Sequence, residues 1–264
     1  MDRAVDNILS SMFLFSTDYL WETLFNVSVQ KENFGLEEMF GEPRSLNTAP
    51  SGSRHEILRT AANCFRENGY SATSIDDVAH ALKATKGMIY YHFRSKIDLF
   101  FAVYRMGMEI NFRATEPYAK GEAPPLIKLT RMSLAHSMAL MKEQSFQRVL
   151  AQGVAMHQQG STTAAQRETL SELIDIRNSY EALFRNAIET AASHNEIELK
   201  DPSIISKSFL AVLNSTVFWY SPREENQHAE RLAIARELVT YALRGIGAEM
   251  PEEAFTFMEQ ENDE

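Results

Sequence analysis

The chain has 264 residues, a net charge of −10 and an apolar fraction of 44%. This is length for one large domain or two modest ones, with the composition of an ordinary globular protein. A single cysteine, Cys64, excludes an internal disulfide framework and fits a reducing compartment, so the expected location is cytoplasmic. Apolar runs such as Phe209–Leu213 and Val217–Tyr220 are too short to span a bilayer, and no membrane partner is expected. The charge is uneven. Residues 53–100 hold seven Lys/Arg against five Asp/Glu, and the rest of the chain holds nineteen against thirty-one. A slightly basic segment on an acidic body is a reason to look there for a polyanion contact.

Residues 1–52 differ in character from the rest of the chain. Leu9, Phe13, Leu20, Leu24 and Val27 could share one helical face. Asp18 and Glu22 interrupt the apolar stretch, which makes a signal peptide a poor reading. Residues 41–53, rich in Gly, Pro, Ser and Asn, read as a flexible linker. Two readings stay open: a disordered extension, or a segment ahead of a downstream translation start such as Met39.

From Arg54 the apolar period is helical, with no convincing alternating strand, so the fold class is all-α. Ile57, Leu58, Ala61, Ala62 and Phe65 line a first helix, and Gly69 stops it. Thr73 with Asp76 reads as a cap for a helix whose buried face is Ile75, Val78, Ala79 and Leu82. A break at Lys83-Ala84 comes next, and Thr85 caps a short helix from Lys86 to Phe93. Ser95 with Asp98 opens a longer helix to about Arg113, and Pro117, Gly121, Pro124 and Pro125 mark a loop. Longer helices are predicted over about 125–142, 145–157, 163–194, 202–220 (Asp201 capping, Pro202 at its first position) and 225–244. The domains are then a head at 53–100, a body at 101–248 and an acidic tail at 249–264 that reads as disordered.

Two short helices joined by a tight turn, with a third capped helix behind them, form a helix-turn-helix. The second helix has the size and chemistry to enter a major groove. Lys86 and Gly87 lie in its first turn, where a missing side chain lets backbone approach a sugar-phosphate chain. Tyr90, Tyr91 and His92 offer donors to phosphates and base edges. Adjacent tyrosines cannot share one helix face, so at least one points outward. Thr73, Thr85 and Lys96 sit at helix N-termini, which attract phosphate. Phe93 reads as core, and Asp76 and Asp77 as cap and solvent face.

Residues 54–100 resemble the DNA-binding domain of the TetR family of repressors. The matching string is Gly69-Tyr70, Thr73-Ser74-Ile75, Val78-Ala79, Thr85 through Phe93, Ser95-Lys96 and Leu99. The resemblance implies a three-helix head, a helical body that dimerises and holds a ligand, a palindromic operator and release on ligand binding. It carries DNA contact onto Thr73, Thr85, Lys86, Gly87, Tyr90, Tyr91, His92 and Lys96. One position departs from the family: Lys83 stands where the turn usually has Gly. If the turn needs a left-handed backbone there, Lys costs about 1 kcal/mol relative to Gly. Lys83 is expected to contact a phosphate or to be solvated.

The body resembles a narrower group. Arg177, Tyr180-Glu181, Phe184-Arg185 and the string Asn214-Ser-Thr216-Val-Phe-Trp219-Tyr220-Ser-Pro222 look like repressors that respond to acyl-coenzyme A thioesters. That resemblance implies a small apolar effector, with Met132, Met138, Met156, Arg177, Tyr180, Phe184 and Trp219 as its expected contacts. Methionine at helical spacing is as readily plain core as a pliable pocket wall. Arg148, Arg177 and Arg185 are available for coenzyme phosphates. By the same resemblance a homodimer forms through Phe209, Val212, Leu213, Thr216, Leu238 and Tyr241. No hydrolase elbow, metalloprotease helix, phosphate loop or cysteine cluster occurs. Hence no enzyme, catalytic residue, metal or cofactor is expected. An activator, or a regulator that needs ligand in order to bind DNA, would use the same parts.

Overall fold

The structure is a computed structural model. It describes residues 39–40, 54–158, 163–198, 200–222 and 227–255, apart from the side chains of 154–158 and 165. The chain divides into a unit of residues 1–41, in which Met39 and Phe40 are helical, and a unit of residues 42–264. The readings placed on residues 1–38 and 41–52 lie outside the described residues. The second unit is helical, with no strand among the described residues. Its helices are α1 (Arg54–Ala72), α2 (Ile75–Ala81), α3 (Lys86–His92), α4 (Lys96–Lys120), α5 (Pro125–Lys142), α6 (Gln144–Gln158), α7 (Ala164–Ser193), α8 (Pro202–Asn214), α9 (Thr216–Trp219) and α10 (Gln227–Gly245). Among the described residues no helix is long and apolar enough to cross a membrane.

The head is α1 to α3 packed on the start of α4. Ile57, Leu58, Ala61, Ala62 and Phe65 of α1 are all buried, as the spacing predicts. Val78, Ile89, Phe93 and Ile97 close the same core. At the seam with the body, Phe65 and Tyr70 stand edge-on to Phe100, with centroids 5.3 and 4.9 Å apart. Such pairs contribute about 0.5–1.5 kcal/mol each beyond area burial.

Helix α6 joins head to body. The side-chain amide of Gln152 accepts from the Tyr70 backbone amide at 3.1 Å and donates to the Phe65 carbonyl at 3.0 Å. Arg59 pairs with Glu143 at 3.0 Å, and Ser145 donates to Asn63 at 2.5 Å. Gly153 lies so close to the Tyr104 ring that a Cβ there would meet it at 2.6 Å. Only glycine lets α6 and α4 approach this far.

In the body, α5 is buried along nearly its whole circumference from Leu129 to Met141. A helix apolar on all sides belongs inside a larger assembly. Here α4, α7, α8, α9 and α10 all pack on it. Its local start carries no side-chain cap. The Glu196 carboxylate, seventy residues away, accepts from the Leu126 amide at 3.0 Å instead. One polar chain threads this core. His136 Nδ1 lies 2.7 Å from the Tyr180 hydroxyl and Nε2 lies 3.0 Å from Asn214 Oδ1. The Tyr180 phenol also meets Thr115, whose hydroxyl donates to the Asn111 carbonyl at 2.9 Å. Asn111 and Gln147 exchange two amide hydrogen bonds, at 3.1 and 2.9 Å. The links run from α8 through α5, α7 and α4 to α6.

Four expectations change. Helix α4 runs on to Lys120, through Pro117, because proline near a helix end removes one hydrogen bond only, and the Gly121 amide closes the turn on the Pro117 carbonyl at 2.9 Å. The single predicted helix 202–220 is broken at Ser215, where the Thr216 hydroxyl takes the Leu213 carbonyl at 3.4 Å. The cap of α2 is Ser74 in place of Thr73, in a reciprocal box with Asp77. Finally, the tail is packed through Phe255: Ala254 and Phe255 are buried, and the Arg236 guanidinium sits 4.2 Å from the Phe255 ring centre.

Burial depresses the His136 pKa from 6.5 to about 4 and raises that of Tyr180. The imidazole in the unfolded chain takes a proton near pH 6.5 and the folded one only near 4, so protonation favours unfolding. The stability this group contributes is complete above pH 6.5 and is lost as pH falls toward 4. Urea titrations at about pH 7 and about pH 5 should show a loss of about 1–2 kcal/mol, and His136→Gln should flatten that difference.

Candidate nucleic-acid interface

The outward face of the head is set by three caps. Ser74 accepts from the Asp77 amide while Asp77 accepts from the Ser74 amide at 2.8 Å, which lowers the Asp77 pKa through the Ser74 side-chain and backbone hydrogen bonds. Thr85 accepts from the Met88 amide at 3.4 Å, and Ser95 from the Asp98 amide at 3.2 Å. Each cap starts a helix where the apolar stripe needs it, so Ile75, Val78, Ile89 and Ile97 all point into one core.

The orientation of helix α3 is a result of that packing. Ile89 is fully buried, which turns Lys86, Gly87, Tyr90 and Tyr91 outward. Tyr90 is 51% and Tyr91 85% exposed. Both rings face solvent, a stronger result than the one outward ring the sequence requires. His92 is half-buried, with its ring edge-on to Tyr91 at 5.1 Å. Lys86 forms an exposed ion pair with Asp76 of α2. A surface pair of this kind is worth about 0–1 kcal/mol and yields readily to a phosphate. Gly87 is exposed, and a Cβ on it would meet only the Thr85 hydroxyl, at 3.8 Å. Nothing in the head itself demands a glycine there.

Two expected contacts have other roles. Thr73 is 1% exposed, and its hydroxyl donates to the carbonyls of Gly69 at 2.8 Å and Cys64 at 3.2 Å. It ties the corner ahead of α2 to the kink inside α1, where Gly69 departs from helical backbone at φ 77°. Lys96 is half-buried and also holds the chain at this corner. Its ammonium donates to the carbonyls of Tyr70 and Thr73, both at 2.9 Å, and of Ser71 at 3.3 Å, and it sits 4.4 Å from the Tyr70 ring centre. An ammonium has three hydrogens, and all three are taken. The sequence placed Thr73 and Lys96 beside DNA because both flank helix starts. Folding also brings them to the C-terminal end of α1, whose carbonyls need donors.

Lys83 does occupy the left-handed position, at φ 55°, and is exposed. The sequence missed Arg94. This exposed cation lines an open groove of about 450 Å³ together with Thr73, Asp76, Lys86, Tyr90 and Lys96. A basic residue between the end of α3 and the Ser95 cap was its signal.

The body residues divide similarly. Met132 is buried one turn before His136 on the same face of α5. Tyr180 and Phe184 are buried on α7, with ring centres 5.6 and 5.5 Å from His136. His136 and Asn214 are polar partners of Tyr180's site that the sequence did not single out; helical spacing from Met132 was the available sign. Met138 and Arg177 are half-buried. The side chain of Met156 lies outside the described residues. Trp219 is not inside the body: it is 54% exposed, with its indole donating to Ser215 at 3.3 Å. Of the six expected dimer residues, Phe209, Leu213 and Thr216 are buried within this chain's own core. Val212 and Leu238 are half-buried, and Tyr241 is 75% exposed. The exposed large apolar side chains on these last helices are Ile204, Phe218, Trp219 and Tyr241.

Replacing Lys96 by Met should lower the unfolding free energy by about 2 kcal/mol, because three carbonyls lose a charged donor; denaturant unfolding measures it. Gly87→Ala should leave stability equal or raise it by up to about 1 kcal/mol and still weaken operator binding. Equal binding by the Ala variant would show that α3 does not bring this backbone against DNA.

Two family models match the chain. The model described as bacterial regulatory proteins, tetR family, covers residues 57–103, and a tetracyclin repressor-like C-terminal domain covers residues 122–246. The chain is 26% identical over 165 residues to the HTH-type transcriptional regulator AcrR of Shigella flexneri, covering 61% of this chain and 76% of that one. It is 31% identical over 91 residues to the HTH-type transcriptional repressor KstR2 of Mycolicibacterium smegmatis, covering 34% and 44%. Among solved structures, the TetR family regulator PfmR of Thermus thermophilus matches with a TM-score of 0.62 at 25% identity, over 73% of this chain and 98% of that one. AibR, solved in complex with isovaleryl coenzyme A and operator DNA, matches with a TM-score of 0.57 at 25% identity, over 70% and 95%. With its capped three-helix head, its outward α3 and matches over both head and body, the chain belongs to the TetR family of DNA-binding transcriptional regulators, which are not enzymes.

Proposed function

We propose that the chain is a repressor that binds a palindromic operator as a homodimer and leaves it when an acyl-coenzyme A thioester enters the body. The observation that carries the DNA half is α3: a two-turn helix with a buried Ile89 and with Lys86, Gly87, Tyr90 and Tyr91 all exposed. Phosphate contacts fall to Thr85, Lys86, Lys83 and Arg94, and base edges to Tyr90, Tyr91 and His92. A two-fold dimer spaces two such helices by roughly 34–36 Å, one DNA turn.

Dimerisation is supported by Ile204, Phe218, Trp219 and Tyr241, which expose large apolar surface on and between α8 and α10. Singly exposed apolar side chains are common, but four on neighbouring elements favour a buried interface. Val212 and Leu238 are half-buried beside them and complete it. The effector reading is supported by AibR, a structural relative solved with isovaleryl coenzyme A. A second support is the His136–Tyr180 pair, which sits in an aromatic and methionine-lined core with Phe184 and Met132. A thioester carbonyl is a fitting acceptor for such a buried hydroxyl, with the acyl chain among the apolar neighbours.

Selection of binding sites from a random DNA pool should return a palindrome with half-sites one turn apart. Mobility shifts on that operator should show release by acyl-coenzyme A thioesters of short or long chain. A single asymmetric site would overturn the dimer, tighter binding with thioester would make the protein a co-ligand regulator, and no response to any thioester would remove the effector assignment.

A further inference from the structure

Among the described residues, cations of this acidic chain gather at a cleft away from α3. A cleft of about 120 Å³ opens where α1, the α5–α6 corner and the start of α10 meet. Arg59 and Arg66 line it from α1, Lys142 from the end of α5 and Arg231 from α10. Glu143 is the one carboxylate among the described lining residues. Arg66 also meets Glu67 at 3.1 Å, but that carboxylate is mostly in solvent. Close behind lies Arg148, whose pKa is lowered by burial and then by the charge of Arg66. The first turn of α6, a helix of 15 residues, lines the same cleft through Gln144 and Ser145. Three arginines and a lysine from three helices face a lining with one carboxylate, and a polyatomic anion adds acceptors there.

We propose that this cleft is the anion site of the effector and takes a phosphate group of a nucleotide-bearing small molecule. The identity of that molecule as a coenzyme A thioester rests on the reading above; the site does not. Guanidinium forks match phosphate geometry, so Arg59, Arg66 and Arg231 provide donors while Lys142 provides a point charge. The location carries the regulatory consequence. Arg59–Glu143 at 3.0 Å and Ser145–Asn63 at 2.5 Å fasten α1 to the α5–α6 corner. A doubly charged phosphate competes with Glu143 for Arg59, and so acts on the joint that holds the head to the body.

The test uses the full chain, titrated calorimetrically with free coenzyme A and with adenosine 3′,5′-bisphosphate, neither of which has an acyl chain. Both should bind, and Arg66→Gln/Arg231→Gln should weaken them at least tenfold while leaving effector-free operator binding unchanged. The charge-preserving Arg66→Lys/Arg231→Lys pair should retain most of the affinity, and circular dichroism should show both variants folded. Absence of heat, or equal affinity in the Gln variant, overturns the site. So does a Gln variant whose operator binding falls with a smaller salt dependence, since the cations then serve DNA phosphate. If the bisphosphate binds but no thioester releases the operator, the site stands and the acyl reading fails. If thioesters release wild type and Gln variant alike, the acyl reading stands and the site fails.

Discussion

The geometry of the reading head hangs on the ammonium of Lys96. It reaches from the start of α4 to three carbonyls at the end of α1, those of Tyr70, Ser71 and Thr73. A helix end leaves carbonyls without intrahelical partners. The cation satisfies them and at the same time ties α4 to the corner from which α2 departs. Thr73 does the same for the carbonyls of Cys64 and Gly69. Together they fix the direction in which α2 leaves, and with it the direction in which α3 points.

Helix α1 belongs to two cores. Its inner face is buried against α2 and α4, and its other side meets α6 through Arg59, Asn63 and the Gln152 amide bonds to Phe65 and Tyr70. A change in the pose of α6 must therefore move α1 or break these bonds. The body supplies a route to such a change. The polar chain from Asn214 through His136, Tyr180, Thr115 and Asn111 ends at Gln147 on α6. Buried polar groups have few alternative partners, so such a chain rearranges as a unit or not at all. An effector that takes the Tyr180 hydroxyl and a phosphate that takes Arg59 would both end on α6.

Capping and turn chemistry were local enough to read directly. The Thr85 and Ser95 caps, the Gly69 break, the strained Lys83 turn and the buried or outward registers of Ile89, Tyr90 and Tyr91 are all set by residues within four positions of one another. Burial misled the reading where an apolar side chain on an outer helix had two possible destinations. Phe209, Leu213 and Thr216 look like an interface stripe, yet the chain's own core takes them, while Ile204 and Tyr241 stay outside. Helical spacing gives one face of α8, and whether that face meets α7 or a second copy depends on where α7 lies.

The sequence alone determined the all-α class, the helix-turn-helix and the residues that α3 turns to solvent, because hydrogen bonds and side-chain periods within one or two turns decide them. The tertiary structure alone decided what the long-range partners are. Glu196 caps α5 across seventy residues, Lys96 holds the end of α1 from the start of α4, and Arg59, Arg66 and Arg231 converge beside Glu143. Charges and hydrogen-bond donors act over a few ångströms of space, and no spacing along the chain specifies which distant groups folding will bring within that reach.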